Sequence, residues 1–148
     1  MIRDLGKQDL GQVVDLLNVM HGESWLTKYD LNLGRASYIL CALIEDPRSF
    51  TMGYIKDDTV VGILIGEVVQ HLFLDLYTAE DHFFYIHPDH RGGMAAVRLI
   101  NQFQIYAASR NANKVAIQVT AGINNERTGA FLERLGYSGV GQCMAKGV

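Results

Sequence analysis

The stretch YIHPDHRGGMAAVRL, Tyr85 to Leu99, opens as a strand, is halted by a proline and closes as a helix. Between the two lie Arg91, Gly92 and Gly93. A helix start exposes unpaired backbone N–H groups and carries a partial positive charge, so anions and phosphates bind there. Gly92 and Gly93 carry no side chain to obstruct an approaching group, Arg91 offers a guanidinium fork suited to phosphate, and Ala95 and Ala96 keep the first turn slim. These residue types suit a pyrophosphate laid against the helix start. A merely tight loop is the competing reading. GxxxxGK[ST] is absent, and so is the dinucleotide fingerprint GxGxxG, which speaks against an unrelated nucleotide-binding module.

Outward from this stretch the pattern is that of an α/β chain. Residues 1–5 read as a short strand, and Lys7 to His21 as a helix with Leu10, Val13, Val14, Leu17 and Met20 on one face. A polar break, GESWLTKYDLN, precedes a helix from Leu33 to Ile44 that ends at Asp46-Pro47. SFTMGYIKDDTVVGILIGEVVQ reads as a hairpin turning at Lys56-Asp57-Asp58. HLFLDLYTAED either prolongs the strand or crosses over as a loop. HFFYI is a strand, and Arg91 to Asn111 the longest helical signal, with Ala95, Ala96, Leu99, Ile100, Phe103, Tyr106 and Ala107 in one apolar stripe. KVAIQVT alternates as a strand, NNERTGAFLERLG is a helix starting at Asn and closing at Gly136, and YSGVGQCMAKGV gives one or two last strands. The order is β-α-α-β-β-β-α-β-α-β: a twisted mixed sheet with helices on both faces. The strands around Tyr85 and Ile117 flank a long helix, so they are expected to run parallel in a right-handed crossover.

Composition narrows the function classes. At 148 residues a single domain spanning 1–148 is expected, long enough to bury about 70% of its unfolded surface. With 49% hydrophobic and 20% charged residues the chain is globular in type. Lys and Arg are scattered and outnumbered by Asp and Glu, giving a net charge of −3, so no nucleic-acid footprint is present. Apolar runs such as TVVGILIG are too short to span a bilayer. The first residues do not read as a signal peptide, and Cys41 and Cys143 form no CxxC pair, so a cytoplasmic protein is expected. His82, His87 and His90 cluster, but their spacing across a proline does not align them, and no metal site is expected.

FFYIHPDHRGGMAAVRLINQF resembles motif A of the GNAT acyltransferase superfamily, in which a strand is followed by Val-x-Pro and then by Arg or Gln-x-x-Gly-x-Gly or Ala at a helix start. Ile86-His87-Pro88 matches Val-x-Pro, and Arg91 and Ala96 match the ends of the phosphate signature. Met94 takes the place of the central glycine, and glycine stands instead at 92 and 93. Downstream, NERTGAFLERLGY resembles the family's Asn-x-x-Ala-x-x-x-Tyr-Glu-Lys-Leu-Gly-Phe, with Asn125 as the Asn and Thr128 as the small residue. With the element order, the resemblance covers nearly the whole chain.

The resemblance implies acetyl-CoA bound where two parallel strands splay, and transfer of its acetyl group directly to an amine. Pantetheine would pair with the backbone of Phe84, Tyr85 and Ile86. Pyrophosphate would rest on the N–H groups from Arg91 through Gly92, Gly93, Met94 and Ala95 to Ala96. Asn125 would reach the pantetheine arm, with Asn124 as its substitute. A backbone N–H near Ile86 would hold the oxyanion. The base is expected at Glu80, with Asp81, His82 and Glu67 as other candidates. The family's tyrosine acid falls at Leu132, which has no proton to donate; Tyr85 and Tyr137 remain as substitutes, or the thiolate leaves unassisted. The acceptor is a small-molecule or peptide amine. Trp25 and Tyr29 are read either as closing over it or as plugging the core edge, and HLFLDLY either as lining its site or as a homodimer surface. A relative that binds coenzyme A, or a partner, without catalysis is the alternative.

Overall fold

A computed structural model describes residues 1–148. Five strands form one sheet in the order β1-β2-β3-β4-β5: β1 Ile2–Asp4, β2 Phe50–Lys56, β3 Thr59–Gln70, β4 Tyr77–Ile86 and β5 Lys114–Ala116. β1 to β4 pair antiparallel and β4 pairs parallel with β5. Helices α1 (Leu10–Glu23) and α2 (Leu33–Glu45) pack on one face, and α3 (Ala95–Ser109) and α4 (Asn125–Arg134) on the other. No helix is long and apolar enough to cross a membrane.

The central strand explains the unbroken run TVVGILIG. A strand covered on both faces has no polar side to show. Ile63 and Ile65 enter the core under α1 and α2, while Leu64 enters the core under α3, and all three are fully buried. The hairpin before it turns at Asp57 and Asp58, both at positive φ (48° and 59°), the geometry of a two-residue type I′ turn. In α1, Val13 and Leu16 are buried and Leu10, Val14, Leu17 and Met20 pack beside them. In α3, Ala95, Leu99, Ile100, Phe103 and Ala107 make the buried stripe that the sequence spacing predicts.

Three elements differ from the sequence reading. β4 runs ten residues, from Tyr77, because its polar half (Tyr77 to Glu80) still pairs with Gln70 back to Glu67. β5 stops at Ala116 although the alternation KVAIQVT continues, since the β4–β5 ladder ends at Glu80 opposite Ala116. Residues 137–148 form no strand. That segment has three glycines and few β-branched residues, so little in it favours a ladder. The six residues 71–76 are a loop whose Leu72 and Phe73 are more than 80% exposed.

A bulge interrupts the pairing of β4 with β3. The register shifts between Ile65 and Gly66: Ile65 faces Phe83 and Gly66 faces Asp81, leaving His82 as the extra residue. Gly66 permits this close approach, because a Cβ there would strike the Glu80 carbonyl and come within 2.8 Å of the Phe103 ring. Gly66→Ala is therefore expected to cost roughly 1–3 kcal/mol by overpacking and to lower the melting temperature by several degrees. An unchanged melting temperature in a calorimetric scan would show that the bulge does not depend on this contact.

Candidate active site at the splay of two parallel strands

Beyond Glu80 and Ala116 the two parallel strands part, and one buried carboxylate marks the point. The Asp81 Oδ1 accepts the Gln118 backbone N–H at 2.8 Å, using a donor that would otherwise be free to continue the ladder. The gap opens into a cleft of about 440 Å³, within the range of small-molecule sites. One wall is the β4 end, Phe84 to Ile86, continuing into Arg91, Gly92 and Gly93 and the first residues of α3, Ala95 and Ala96. The other is the chain from Gln118 to Ala121, followed by Ile123, Asn124, Asn125 and the inner face of α4.

The glycine loop serves the cleft by not being helix. The sequence pattern places the helix start at Arg91, whereas α3 begins at Ala95. Pro88 to His90 make a single 3-10 turn, and Gly92 adopts φ +85°, a left-handed conformation that glycine reaches without strain. Met94 precedes α3 and makes no side-chain cap, so the first-turn N–H groups are without a capping side chain at the cleft. The Met94 side chain is 55% exposed and is not part of the lining, so its replacement of glycine leaves the cleft clear. Asn124, at φ 47°, and Asn125 open α4 at the opposite wall, and Asn124 makes no side-chain cap. Their helix closes in a Schellman motif, with Gly136 N–H on Glu133 O and Tyr137 N–H on Leu132 O.

The charge of this cleft opposes that of the chain. Arg91, Arg127, Arg134 and His90 line it and no Asp or Glu does, in a protein of net charge −3. Arg91 is tied into the wall. Its Nε donates to Ile86 O at 3.0 Å, and its two terminal nitrogens donate to Glu23 Oε1 and Oε2 at 3.1 and 2.7 Å. The Tyr85 hydroxyl donates to the same carboxylate, and the Arg91 guanidinium lies over the Tyr85 ring. Arg91, with Tyr85 behind it, holds the Glu23 carboxyl below its usual range. Burial, reinforced by Glu23, keeps the Tyr85 hydroxyl well above its own. Glu23 is a polar partner that sequence reading does not single out: it stands 68 residues from Arg91, at the last position of α1, and no motif links the two.

Phe84, Tyr85, Ile86, Arg91, Gly92, Gly93, Ala95, Ala96, Asn124 and Asn125 thus all reach the cleft. Glu80 does not line it: it is half-buried on β4, directly opposite Glu67 on β3 and Ala116 on β5. His82 Nε2 is 3.2 Å from the Glu67 carboxylate, whereas His87 and His90 pack their rings together (5.8 Å), so the three histidines do not converge. Leu132 is buried in the core under α3 and α4. Tyr137 accepts from Gln104 Nε2 at 3.1 Å, and burial raises its hydroxyl.

A mixed sheet whose parallel pair splays beside a basic, glycine-lined helix start is the frame of this cleft. The family model "Acetyltransferase (GNAT) family" matches residues 10–137, and the chain belongs to that family. No curated protein matches it in sequence. Among solved structures, the tetramutant of the Bacillus halodurans protein BH1408 is similar at TM-score 0.79 and 19% identity, covering 100% of this chain and 99% of that one. Ribosomal-protein-alanine N-acetyltransferase from Brucella melitensis biovar Abortus is similar at 0.71 and 20%, covering 100% and 98%. An aminoglycoside 6′-N-acetyltransferase from Acinetobacter haemolyticus is similar at 0.76 and 16%, covering 100% and 97%. These identities carry the fold, not a substrate.

Asp81 gives the site a pH signature. Burial pushes its carboxyl up to about 6, against the Gln118 N–H that favours the charged form. The native state therefore holds this proton more tightly than the unfolded chain does, and stability falls as pH rises from about 4 to about 6. Asp81→Asn keeps an acceptor for Gln118 without the buried charge. It is expected to melt roughly 3–6 °C above wild type at pH 7.5, with the gap closing below pH 4. Equal melting temperatures at both pH values in paired thermal scans would contradict the burial of a charged Asp81.

Proposed function

We propose that the protein is an acetyl-CoA-dependent N-acetyltransferase that moves an acetyl group directly from the thioester to an amine. The observation that carries this reading is the cleft itself, which combines three arginines, no carboxylate and an uncapped helix start beside a strand edge with no neighbouring strand. A polyanion with an extended amide-bearing arm fits all of these features: phosphates the N–H groups and guanidinium charge, the arm the free edge of β4. In this reading the N–H groups from Arg91 to Ala96 hold the pyrophosphate, with Met94 contributing only backbone. The β4 edge at Phe84, Tyr85 and Ile86 receives the pantetheine, and Asn125, flanked by Asn124, closes on it from α4.

The coenzyme supplies the activated acyl thioester. The protein positions the amine in line with it, which replaces a bimolecular encounter by a local one. As the amine nitrogen bonds to the acyl carbon and the C–S bond breaks, the N–H proton passes to Glu80, through water because Glu80 does not line the cleft. A β4 N–H near Ile86 stabilises the oxyanion. Leu132 supplies no proton, the Tyr85 hydroxyl is engaged by Glu23, and Tyr137 does not line the cleft, so the thiolate leaves unassisted. The acceptor is a small-molecule or peptide amine. Two unpaired cysteines, Cys41 and Cys143, support a cytoplasmic setting. The filled Leu132 position favours one rival, a relative that binds coenzyme A without acetylating.

Acetyl-CoA at about a hundred times its Kd is expected to raise the melting temperature by roughly 5–10 °C, whereas ATP and NADH do less. Gly93→Glu is expected to abolish that shift. A Cβ at Gly93 meets nothing within 4 Å, so the variant folds and brings a carboxylate to the phosphate loop. Thiol release with one member of an amine panel then separates enzyme from binder. Absence of any shift with acetyl-CoA would refute the reading; a shift without thiol release on any amine would favour the binder.

A further inference from the structure

Past Ala116 no ladder joins the two cleft walls, and Asp81 ties them only at the inner end. Something must set their separation at the mouth. The chain supplies it where α1 ends. Glu23 grips one wall through the Arg91 fork and the Tyr85 hydroxyl. Two residues on, Trp25 grips the other: its backbone N–H donates to Ala121 O at 3.1 Å and its indole Nε1–H to Thr120 O at 2.8 Å. The intervening Ser24 is buried, and its hydroxyl donates to His21 O at 2.9 Å, which fastens the segment to the last turn of α1. Arg91, Tyr85, Thr120 and Ala121 all line the cleft, as does Met20 one turn back on α1. The hydrogen bonds that link both walls at the open end all run through Glu23 and Trp25.

We propose that Glu23-Ser24-Trp25 is a clasp spanning the two walls, and that Glu23 and Trp25 are positioning residues that set the cleft width for the coenzyme. The proposal rests on the coenzyme reading above for its functional consequence, and on the two-wall geometry for its existence. The Arg91 guanidinium has five N–H donors, and the bonds to Ile86 and Glu23 use three. Holding Glu23 therefore leaves Arg91 one N–H on each terminal nitrogen for an anion, while the bidentate pair fixes the plane in which they lie. Because the clasp leaves α1 and leads into the 3-10 turn Trp25–Lys28, it also couples the α1–α2 connection to coenzyme occupancy.

Trp25 is the sole tryptophan, so its fluorescence reads the clasp without a ligand. Glu23→Gln is expected to raise acrylamide quenching of Trp25 about twofold, as the first anchor is lost and the second loosens. Arg91→Lys keeps the charge without the fork and gives the same rise, which guards against a folding defect peculiar to one variant. Calorimetric acetyl-CoA titrations complete a double-mutant cycle. Glu23→Gln and Trp25→Phe each weaken binding, by about tenfold for Glu23→Gln, and the double variant binds no more weakly than the worse single. Unchanged quenching in both variants overturns the clasp. Losses that multiply in the double variant overturn its role in setting the cleft. Failure of the wild type to bind acetyl-CoA refutes the coenzyme reading and the positioning role with it, while quenching still decides whether the clasp exists.

Discussion

The parting of β4 from β5 is the constraint on which this protein depends. A parallel ladder is stable, and KVAIQVT has the alternation to extend it to Thr120. It stops at Ala116 because β4 bulges at Asp81 and His82, and because the Asp81 carboxylate takes the Gln118 N–H. Burying that carboxyl works against the native state at neutral pH. What it gives in return is a strand edge from Phe84 to Ile86 with no neighbouring strand, along one wall of a cleft.

The surrounding packing holds that open edge still. Ile63, Leu64 and Ile65 lock β3 between two cores, so β4 is held firmly on one side while its other side faces the gap. Gly66 lets Phe103 and the bulge approach closely enough for α3 to lie against the sheet with its uncapped start at the cleft. The positive charge there is local. The lining has arginines and no carboxylate, while the acidic residues that make the chain net negative lie elsewhere. Glu23, the carboxylate closest to this charge, is engaged by Arg91 and Tyr85 in the wall.

Much of this was legible in the sequence because it is periodic or local. The hairpin announced itself through Asp57-Asp58, α3 through its Leu99–Phe103 stripe, and α4 through Asn125 and Gly136 at its ends. A loop before α3 was legible from Arg91, Gly92 and Gly93, although the pattern ran the helix four residues too early. It cannot show that Gly92 turns left-handed. The rest was hidden because it is tertiary. The extent of β5 depends on Asp81, and neither the bulge at His82 nor the Glu23–Arg91 pair has a period or a motif. Leu132 shows the same limit: motif matching places it at a catalytic position, and its surroundings show a core leucine.

Amide hydrogen exchange with and without acetyl-CoA tests the central claim most directly, because it reads the backbone of the open edge itself. Protection on adding the coenzyme is predicted in Phe84–Ile86 and Arg91–Ala96, with no change in the exposed loop at Leu72–Leu74. Protection that falls elsewhere, or an unchanged β4 edge at saturating acetyl-CoA, would contradict the claim that the splayed strands form the coenzyme site.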